Sequence, residues 1–285
     1  MYCYSIKKVY LCTMKRMPVL VAALLLAVFL PSCKFSKTLK NPDIEAKYKA
    51  AMEYYTTKDY SRALQLFDQM TGVIRTTDKA EDLYYAYADC YYQMKDYTLS
   101  SYYYKRFYTN FPGSQRAEEA LFMSAYCNYK NSPEYSLDQS STYEAIKDLQ
   151  LFVNIYPNSK RVSECNDLID DLRAKLEYKD FRIARLYYRM GDYNAAATCY
   201  YRILNDYPET PHREEIMFQI LKTYQRYAKE SIVSKQKERY NKALLAYNDL
   251  IKEYPETRFK DDARQVYDKC EAELEALDSA HPKKK

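Results

Sequence analysis

Apolar and small residues recur along this chain at intervals of three and four, in blocks that stop at aromatic–proline pairs. The pairs are Phe111-Pro112, Tyr156-Pro157, Tyr207-Pro208 and Tyr254-Pro255, and two residues beyond each proline stands a hydroxyl: Ser114, Ser159, Thr210 and Thr257. Proline lacks an N–H and its ring clashes with the preceding turn, so a helix stops there. A Ser or Thr side chain accepts from the free N–H groups that open the next helix. Twelve residues before each proline the residue is small (Ser100, Ala145, Ala196, Ala243). Eight before lie Tyr104, Leu149, Tyr200 and Tyr247, and five before lie Phe107, Phe152, Ile203 and Leu250. Positions four and seven apart share one helix face. A small residue that lets a neighbouring helix approach therefore sits beside two bulky ones that fill the space around it.

The pattern predicts helices over 43–57, 59–74, 79–94, 96–111, 115–130, 142–156, 160–190, 193–207, 211–229, 236–254 and 258–278. The stretch 160–190 has no breaker before Gly191, and is either one long helix or a short one feeding the next hairpin. Two inter-helix turns are stretched, one by NSPEYSLDQSS at 131–141 and one by the segment from Ala228 to Lys237. The last helix, Lys260 to Leu277, puts Ala263, Val266, Tyr267, Cys270 and Leu274 on one face and is expected to cap the array, whose terminal hairpin has no neighbour to cover it. Three glycines (Gly72, Gly113, Gly191) leave little room for hairpin turns or phosphate loops, and the expected class is all-α.

These spacings resemble the tetratricopeptide repeat, a helix-turn-helix unit of about 34 residues. Anchored on Pro112, the repeat places Ala88, Tyr91, Ser100, Tyr104 and Phe107 on its preferred positions. Anchored on Pro208, it places Ala184, Tyr187, Gly191, Ala196 and Tyr200 there. An earlier copy carries Ala51, Tyr54, Ala63, Phe67 and Met70, with Arg75 in place of the proline. The turns within these copies are Lys58-Asp59-Tyr60, Lys95-Asp96-Tyr97 and Gly191-Asp192-Tyr193. The resemblance implies an all-α, right-handed superhelical solenoid of about five hairpins plus the capping helix, over residues 43–278.

Upstream of the repeats the pattern changes. VLVAALLLAVFL at 19–30 follows Lys15-Arg16 and precedes Pro31-Ser32-Cys33. A basic stub, an apolar run and a small-residue site mark a secretory signal peptide. The run is shorter than the roughly 20 apolar residues that span a bilayer. Leu30, Ser32 and Cys33 resemble the lipobox of bacterial lipoproteins, which implies cleavage before Cys33 and acylation of its thiol and new amine. The alternative is an ordinary secretory signal with an incidental cysteine. Met14-Lys15-Arg16-Met17 is the usual kind of lipoprotein start, so residues 1–13 are expected to be a misassigned extension. The expected organisation is a signal peptide over 1–33, a flexible tether over 34–42, the repeat domain and a basic tail over 279–285.

Charge and chemistry narrow the class. Loss of Lys7, Lys8, Lys15 and Arg16 with the signal takes the formal charge from +5 to +1. A nearly neutral chain of interspersed signs lacks the basic footprint of a nucleic-acid binder. Cys90, Cys127, Cys165, Cys199 and Cys270 are widely spaced and odd in number. Buried small hydrophobes are the expectation for them, with a single disulfide as the alternative. His212 and His281 are the two histidines, neither set for a metal or a triad, and no phosphate-binding motif is present. The carboxylate pairs Glu118-Glu119, Asp170-Asp171, Glu214-Glu215 and Asp261-Asp262 are adjacent on helices and point apart, so no catalytic residue, metal or cofactor is assigned. Among 35 tyrosines, Tyr87, Tyr91 and Tyr104 fall on repeat-core positions, whereas Tyr85, Tyr92, Tyr102 and Tyr103 fall elsewhere and are the candidates for a partner-binding surface.

Taken together, the lipobox, the linker, the repeats and phrases such as DYSRALQLFD, YKDFRIARLYYRMGDYNAAATCYYRILNDYPETP and EYPETRFKDDA resemble the BamD family of outer-membrane β-barrel assembly lipoproteins. The resemblance implies a non-catalytic scaffold anchored in the outer membrane through Cys33 and facing the periplasm. Its implied partners are the barrel-type assembly protein with periplasmic domains, other assembly lipoproteins and unfolded outer-membrane proteins. The alternative reading is another periplasmic tetratricopeptide-repeat adaptor lipoprotein of the cell envelope.

Overall fold

The computed structural model describes residues 35–74 and 77–280. The expected signal peptide, Cys33 and residues 281–285 lie outside them. Helices follow one another as α1 (35–40), α2 (Ile44–Thr56), α3 (Tyr60–Met70), α4 (Ala80–Gln93), α5 (Tyr97–Asn110), α6 (Ala117–Asn131), α7 (Ser140–Ile155), α8 (Val162–Met190), α9 (Tyr193–Asp206), α10 (Arg213–Lys229), α11 (Val233–Glu253) and α12 (Lys260–Ala280). There is no strand among the described residues. The fold is all-α, built of tetratricopeptide-like helical hairpins.

The tight turn inside a hairpin is made the same way three times. Lys58, Lys95 and Gly191 take the left-handed conformation at φ 63°, 63° and 83°. The N–H after each reaches back to close the helix: Asp59 to the Tyr54 carbonyl at 2.8 Å, Asp96 to Tyr91 at 2.9 Å, Asp192 to Tyr187 at 3.1 Å. This six-to-one bond with a left-handed residue is the Schellman stop. The same aspartates then start the next helix by accepting from the N–H of Arg62, Leu99 and Ala195 at 3.3, 3.1 and 3.0 Å. One acidic residue thus ends one helix and begins another within two positions.

The stop at the aromatic–proline pairs is different. Phe111, Tyr207 and Tyr254 leave the helical region at φ near −129° with positive ψ, as a residue before proline must. Beyond the proline the hydroxyl does two things. Its oxygen accepts from the N–H two residues on, Ser114 from Arg116, Ser159 from Arg161, Thr210 from His212 and Thr257 from Phe259, at 2.9 to 3.2 Å. Its proton goes to a glutamate far back in the sequence: Ser114 to Glu81, Ser159 to Glu118, Thr210 to Glu177 and Thr257 to Glu214, at 2.5 to 2.6 Å. Glu81, Glu118 and Glu214 lie in the first turns of α4, α6 and α10. The hydroxyl therefore clasps the end of each hairpin to its beginning.

The chain forms two compact units, divided so that Ser140–Leu168 joins the residues up to Ser132 in the first, and Pro133–Gln139 joins those from Ile169 in the second. In the first unit α2 packs on α3, α4 on α5 and α6 on α7, with α5 also against α6. Its core includes Ala51, Leu66, Phe67, Tyr104 and Phe107, all essentially without solvent exposure. In the second unit α10 packs on α9 and α11, and α11 on α12, around Ala196, Tyr200, Ile203, Leu221 and Leu250. The four small residues Ser100, Ala145, Ala196 and Ala243 are completely buried, as their spacing requires. So are Phe107, Phe152, Ile203 and Leu250, whereas Tyr247 is half-buried against Tyr267.

Helix α8 runs unbroken through 29 residues, which settles the choice in favour of one long helix. Glu177 reconciles this with the repeat. It stands 33 residues before its hydroxyl partner, the same distance as Glu81 from Ser114, so the fourth hairpin begins inside the long helix. Two segments differ from expectation. Residues 35–40, within the expected tether, form α1, whose Phe35 and Leu39 lie on the first core. Phe35 meets Tyr54 edge-on at 5.7 Å beneath the Arg62 guanidinium, a contact whose partners are distant in sequence and so leave no local period. The insertion from Ala228 to Lys237 is mostly helix: only residues 230–232 separate α10 from α11. It contains no proline or glycine, so its residues lengthen the two helices rather than their connection.

Candidate partner-binding surface

The Schellman turns place tyrosines in register. The tyrosine that precedes each turn by three residues packs against the tyrosine two residues after it: Tyr55 on Tyr60 at 6.3 Å, Tyr92 on Tyr97 at 5.8 Å, Tyr188 on Tyr193 at 5.4 Å. In the first unit the second of these pairs continues onto α6. Tyr92 lies 6.5 Å from Tyr126, which stacks against Tyr129 at 5.9 Å and against Phe122 at 5.7 Å. Tyr92, Tyr97, Tyr126 and Tyr129 are all half-exposed. The Lys130 ammonium caps the strip, 5.0 Å from the Tyr126 ring and 5.8 Å from Tyr129. A hydrogen bond with Tyr126 holds that ammonium and raises its pKa. Burial, then the neighbouring Tyr126, raises the pKa of Tyr92. Rings of this kind give an extended polypeptide both apolar faces and hydroxyl partners with little conformational cost.

Of the four tyrosines singled out from sequence, the structure brings only Tyr92 into this strip. Tyr85 is wedged between Tyr104 at 5.5 Å and Phe107 at 5.4 Å, with the Arg116 guanidinium 5.1 Å above its ring. Tyr103 is half-buried, stacked on Tyr91 at 5.3 Å and edge-on to Tyr87 at 4.4 Å. Tyr102 is 55% exposed, touching Tyr103. Sequence reasoning missed Tyr97, Tyr126, Tyr129 and Lys130. A recurring signal was available: in Tyr54-Tyr55, Tyr91-Tyr92 and Tyr187-Tyr188 the second tyrosine is always followed, five residues later, by another.

Elsewhere in the first unit, Asp89 on α4 and Asp68 on α3 anchor other phenols. Asp89 accepts from the Tyr55 hydroxyl at 2.6 Å, the Tyr104 hydroxyl at 3.3 Å and the Gln93 amide at 3.2 Å. Tyr87 donates to Asp68 and has the Tyr91 and Tyr103 hydroxyls within 3.4 Å. Burial drives the Tyr55 and Tyr87 pKa values upward, reinforced by these hydrogen bonds. No group of histidines, cysteines and carboxylates able to hold a metal occurs among the described residues.

All five described cysteines are free thiols. Burial pushes Cys90 and Cys270 up to about 12, and Cys127 and Cys165 up to about 11. Thiols held neutral in this way are packing groups rather than nucleophiles. His212 is exposed at the N-cap of α10, its ring 6.5 Å from Phe181, and His281 lies outside the described residues. No helix among the described residues is long and apolar enough to cross a membrane.

The profile of the family described as YfiO, outer membrane lipoprotein, matches residues 41–240. A putative outer membrane protein assembly factor BamD of Aquifex aeolicus is 28% identical over 208 residues, covering 71% of this chain and 68% of that protein. The corresponding factor of Caulobacter vibrioides is 27% identical over 143 residues, covering 50% of this chain and 45% of its own length. That of Pasteurella multocida is 22% identical, covering 71% and 82%. Among solved structures, the tetratricopeptide-repeat domain of P58(IPK) aligns with a TM-score of 0.39 at 13% identity, over 85% of this chain and 67% of that one.

Proposed function

The chain belongs to the YfiO family of outer membrane lipoproteins, and from that premise we propose that it is a non-catalytic scaffold subunit of outer membrane protein assembly. The observation that carries the reading to this chain's own surface is the half-exposed aromatic strip of Tyr92, Tyr97, Tyr126 and Tyr129 on the first unit. Unfolded outer-membrane proteins present extended segments of alternating apolar and polar residues. Such a segment can lay alternate side chains on successive rings, and its backbone can bond to the phenol hydroxyls. The further partners in this reading are the barrel-type assembly protein with periplasmic domains and other assembly lipoproteins.

In the same reading the chain is held at the outer membrane, on the periplasmic side, by acyl groups on Cys33. One acyl chain binds reversibly and each buried CH₂ adds about 0.8 kcal/mol, so several chains make the anchorage stable. Replacing Cys33 with Ser should release the protein from membranes, and retention of that variant would remove the anchor from the proposal.

The testing experiment is a detergent pull-down from envelope membranes with tagged wild-type chain. Recovery of an outer-membrane barrel that carries periplasmic domains supports assembly. Recovery instead of proteins of envelope division or glycan import, with no such barrel, would replace it with the adaptor reading.

A further inference from the structure

The second half of α8, within the second unit, presents a row of exposed apolar and basic side chains. Tyr178, Leu186 and Met190 are 44%, 46% and 69% exposed. Arg182, Arg185 and Arg189 are exposed beside them, at positions three and four apart that share this side of the helix. None of the three guanidiniums forms an ion pair among the described residues, as is true of Arg173, Arg226 and Arg239 in the same unit; what sets the three apart is that they share one side of one helix with exposed apolar side chains. The face is also built up at one end. Tyr135, on the segment 133–139, stands edge-on to Tyr178 at 4.8 Å. Arg182 lies 5.7 Å from both rings and donates to the Tyr178 hydroxyl at 2.9 Å. The Lys179 ammonium holds the Leu137 carbonyl and leaves the Leu137 side chain 58% exposed.

Cations near a helix C-terminus are favoured by the helix dipole, but that effect fades within the last turn. Of the three arginines only Arg189 is in the last turn of α8. Arg182 is held by the Tyr135 and Tyr178 rings and Arg185 lies 5.9 Å from the Phe181 ring, so these guanidiniums are steadied in place while remaining exposed and without a carboxylate partner among the described residues. Leu186 and Met190 beside them keep 46% and 69% of their surface exposed, apolar surface that a bound partner would cover.

We propose that this face of α8 docks an acidic amphipathic segment of a partner protein. It is distinct from the aromatic strip and independent of the assembly reading. Guanidinium forks pair with carboxylates through two parallel hydrogen bonds, a geometry that lysine cannot supply. Seven residues of helix separate Arg182 from Arg189, about 10 Å along the axis, so carboxylates three and four residues apart on a partner helix match their spacing. The partner's apolar side chains meet Tyr178, Leu186 and Met190.

The test uses fluorescence anisotropy of the full chain with a labelled synthetic peptide of Glu and Leu, the Glu residues spaced three and four apart. A Lys-for-Glu counterpart and anionic phospholipid vesicles serve as competing probes. The combined variant Arg182→Gln, Arg185→Gln and Arg189→Gln should weaken binding of the acidic peptide by about tenfold or more, as loss of paired interface charges does. Removing the same charge elsewhere in the unit, with Arg226→Gln, Lys229→Gln and Lys235→Gln, should leave it unchanged. Leu186→Asn should weaken it without altering its salt dependence, and this single exposed change keeps the test decisive if the triple variant melts early. Equal loss in both triple variants, equal binding of the Lys peptide, or vesicles outcompeting the acidic peptide at this face would each overturn the proposal.

Discussion

The Thr210 hydroxyl donates to the Glu177 carboxylate at 2.5 Å while its oxygen accepts from the His212 N–H at 3.0 Å. Both side chains are buried, 7% and 8% exposed, which sets this clasp apart from its three counterparts. The carboxylate is on a helix that continues for three turns beyond it, and the hydroxyl is on the segment that follows Pro208. This hydrogen bond joins residues 33 apart and links the two ends of the fourth hairpin.

That relationship gives the first prediction. Thr210→Val keeps the shape and removes both hydrogen bonds, leaving a buried carboxylate and a backbone N–H without this partner. A buried polar group left unsatisfied costs about 1–3 kcal/mol. The urea midpoint of Thr210→Val should fall accordingly, while Thr210→Ser, which keeps the hydroxyl, should lose less than half as much. Equal losses in the two variants would show that the methyl group, and not the proton, matters.

The clasp also marks where the sequence was legible and where it was not. Helix ends were readable because they are set by local chemistry: Pro112, Pro157, Pro208 and Pro255 stop helices wherever they stand, and Asp59, Asp96 and Asp192 start them. The capping role of Thr210 followed from its place after Pro208. Its second role did not, because nothing local to Thr210 points to a glutamate in another helix. Packing of α1 escaped for the same reason, since Phe35 is covered by Tyr54 and Arg62 rather than by its own neighbours. Of the candidate binding residues, Tyr92 lies in the strip and Tyr85 became a wedge under Arg116, because sequence fixes a residue's face on its helix but not what the next helix lays across it.

Backbone conformation supplies the second prediction. Gly191 stands at φ 83° with open space where a Cβ would stand, so a side chain there meets no clash and only the left-handed backbone opposes it. Gly191→Ala should cost about 1–2 kcal/mol. At Lys95, where φ is 63°, Lys95→Gly should act in the opposite sense but by less, because glycine also gains freedom in the unfolded chain. Thermal melting of the two variants checks both signs at once, and a stabilised Gly191→Ala would contradict the turn geometry.

The buried thiols make stability depend on alkaline pH. An unfolded thiol releases its proton from about pH 9, whereas Cys90 and Cys270 hold theirs to about 12 in the folded chain. Their folded pKa is raised, so their contribution is complete below pH 9 and is lost as pH climbs towards 12. Stability should therefore fall across that window, and Cys90→Ala should flatten the fall while lowering the plateau by the lost packing. Alkylation should follow the same order: Cys199, the half-exposed thiol, reacts first, and Cys90, Cys127, Cys165 and Cys270 react only on unfolding. Rapid labelling of Cys90 at neutral pH would mean that the first core opens far more readily than its packing implies.

Tyr92 and Tyr126 lie in the strip without being buried, which separates binding from stability. Truncating a half-exposed ring removes little of the core, so Tyr92→Ala and Tyr126→Ala should melt close to the wild type. A ring that anchors a bound segment is worth about 2 kcal/mol or more, and losing it weakens binding roughly thirtyfold. The probe is a labelled synthetic peptide that alternates aromatic or aliphatic with polar residues, as an unfolded barrel strand does. Tyr102→Ala is the matched comparison, since Tyr102 is more exposed than either ring but touches only Tyr103 among the aromatic contacts of α5. Weakened peptide binding in the first two variants with none in the third places the segment on the strip. The reverse order would move the binding surface from α4 and α6 to the outer side of α5, where Tyr102 projects.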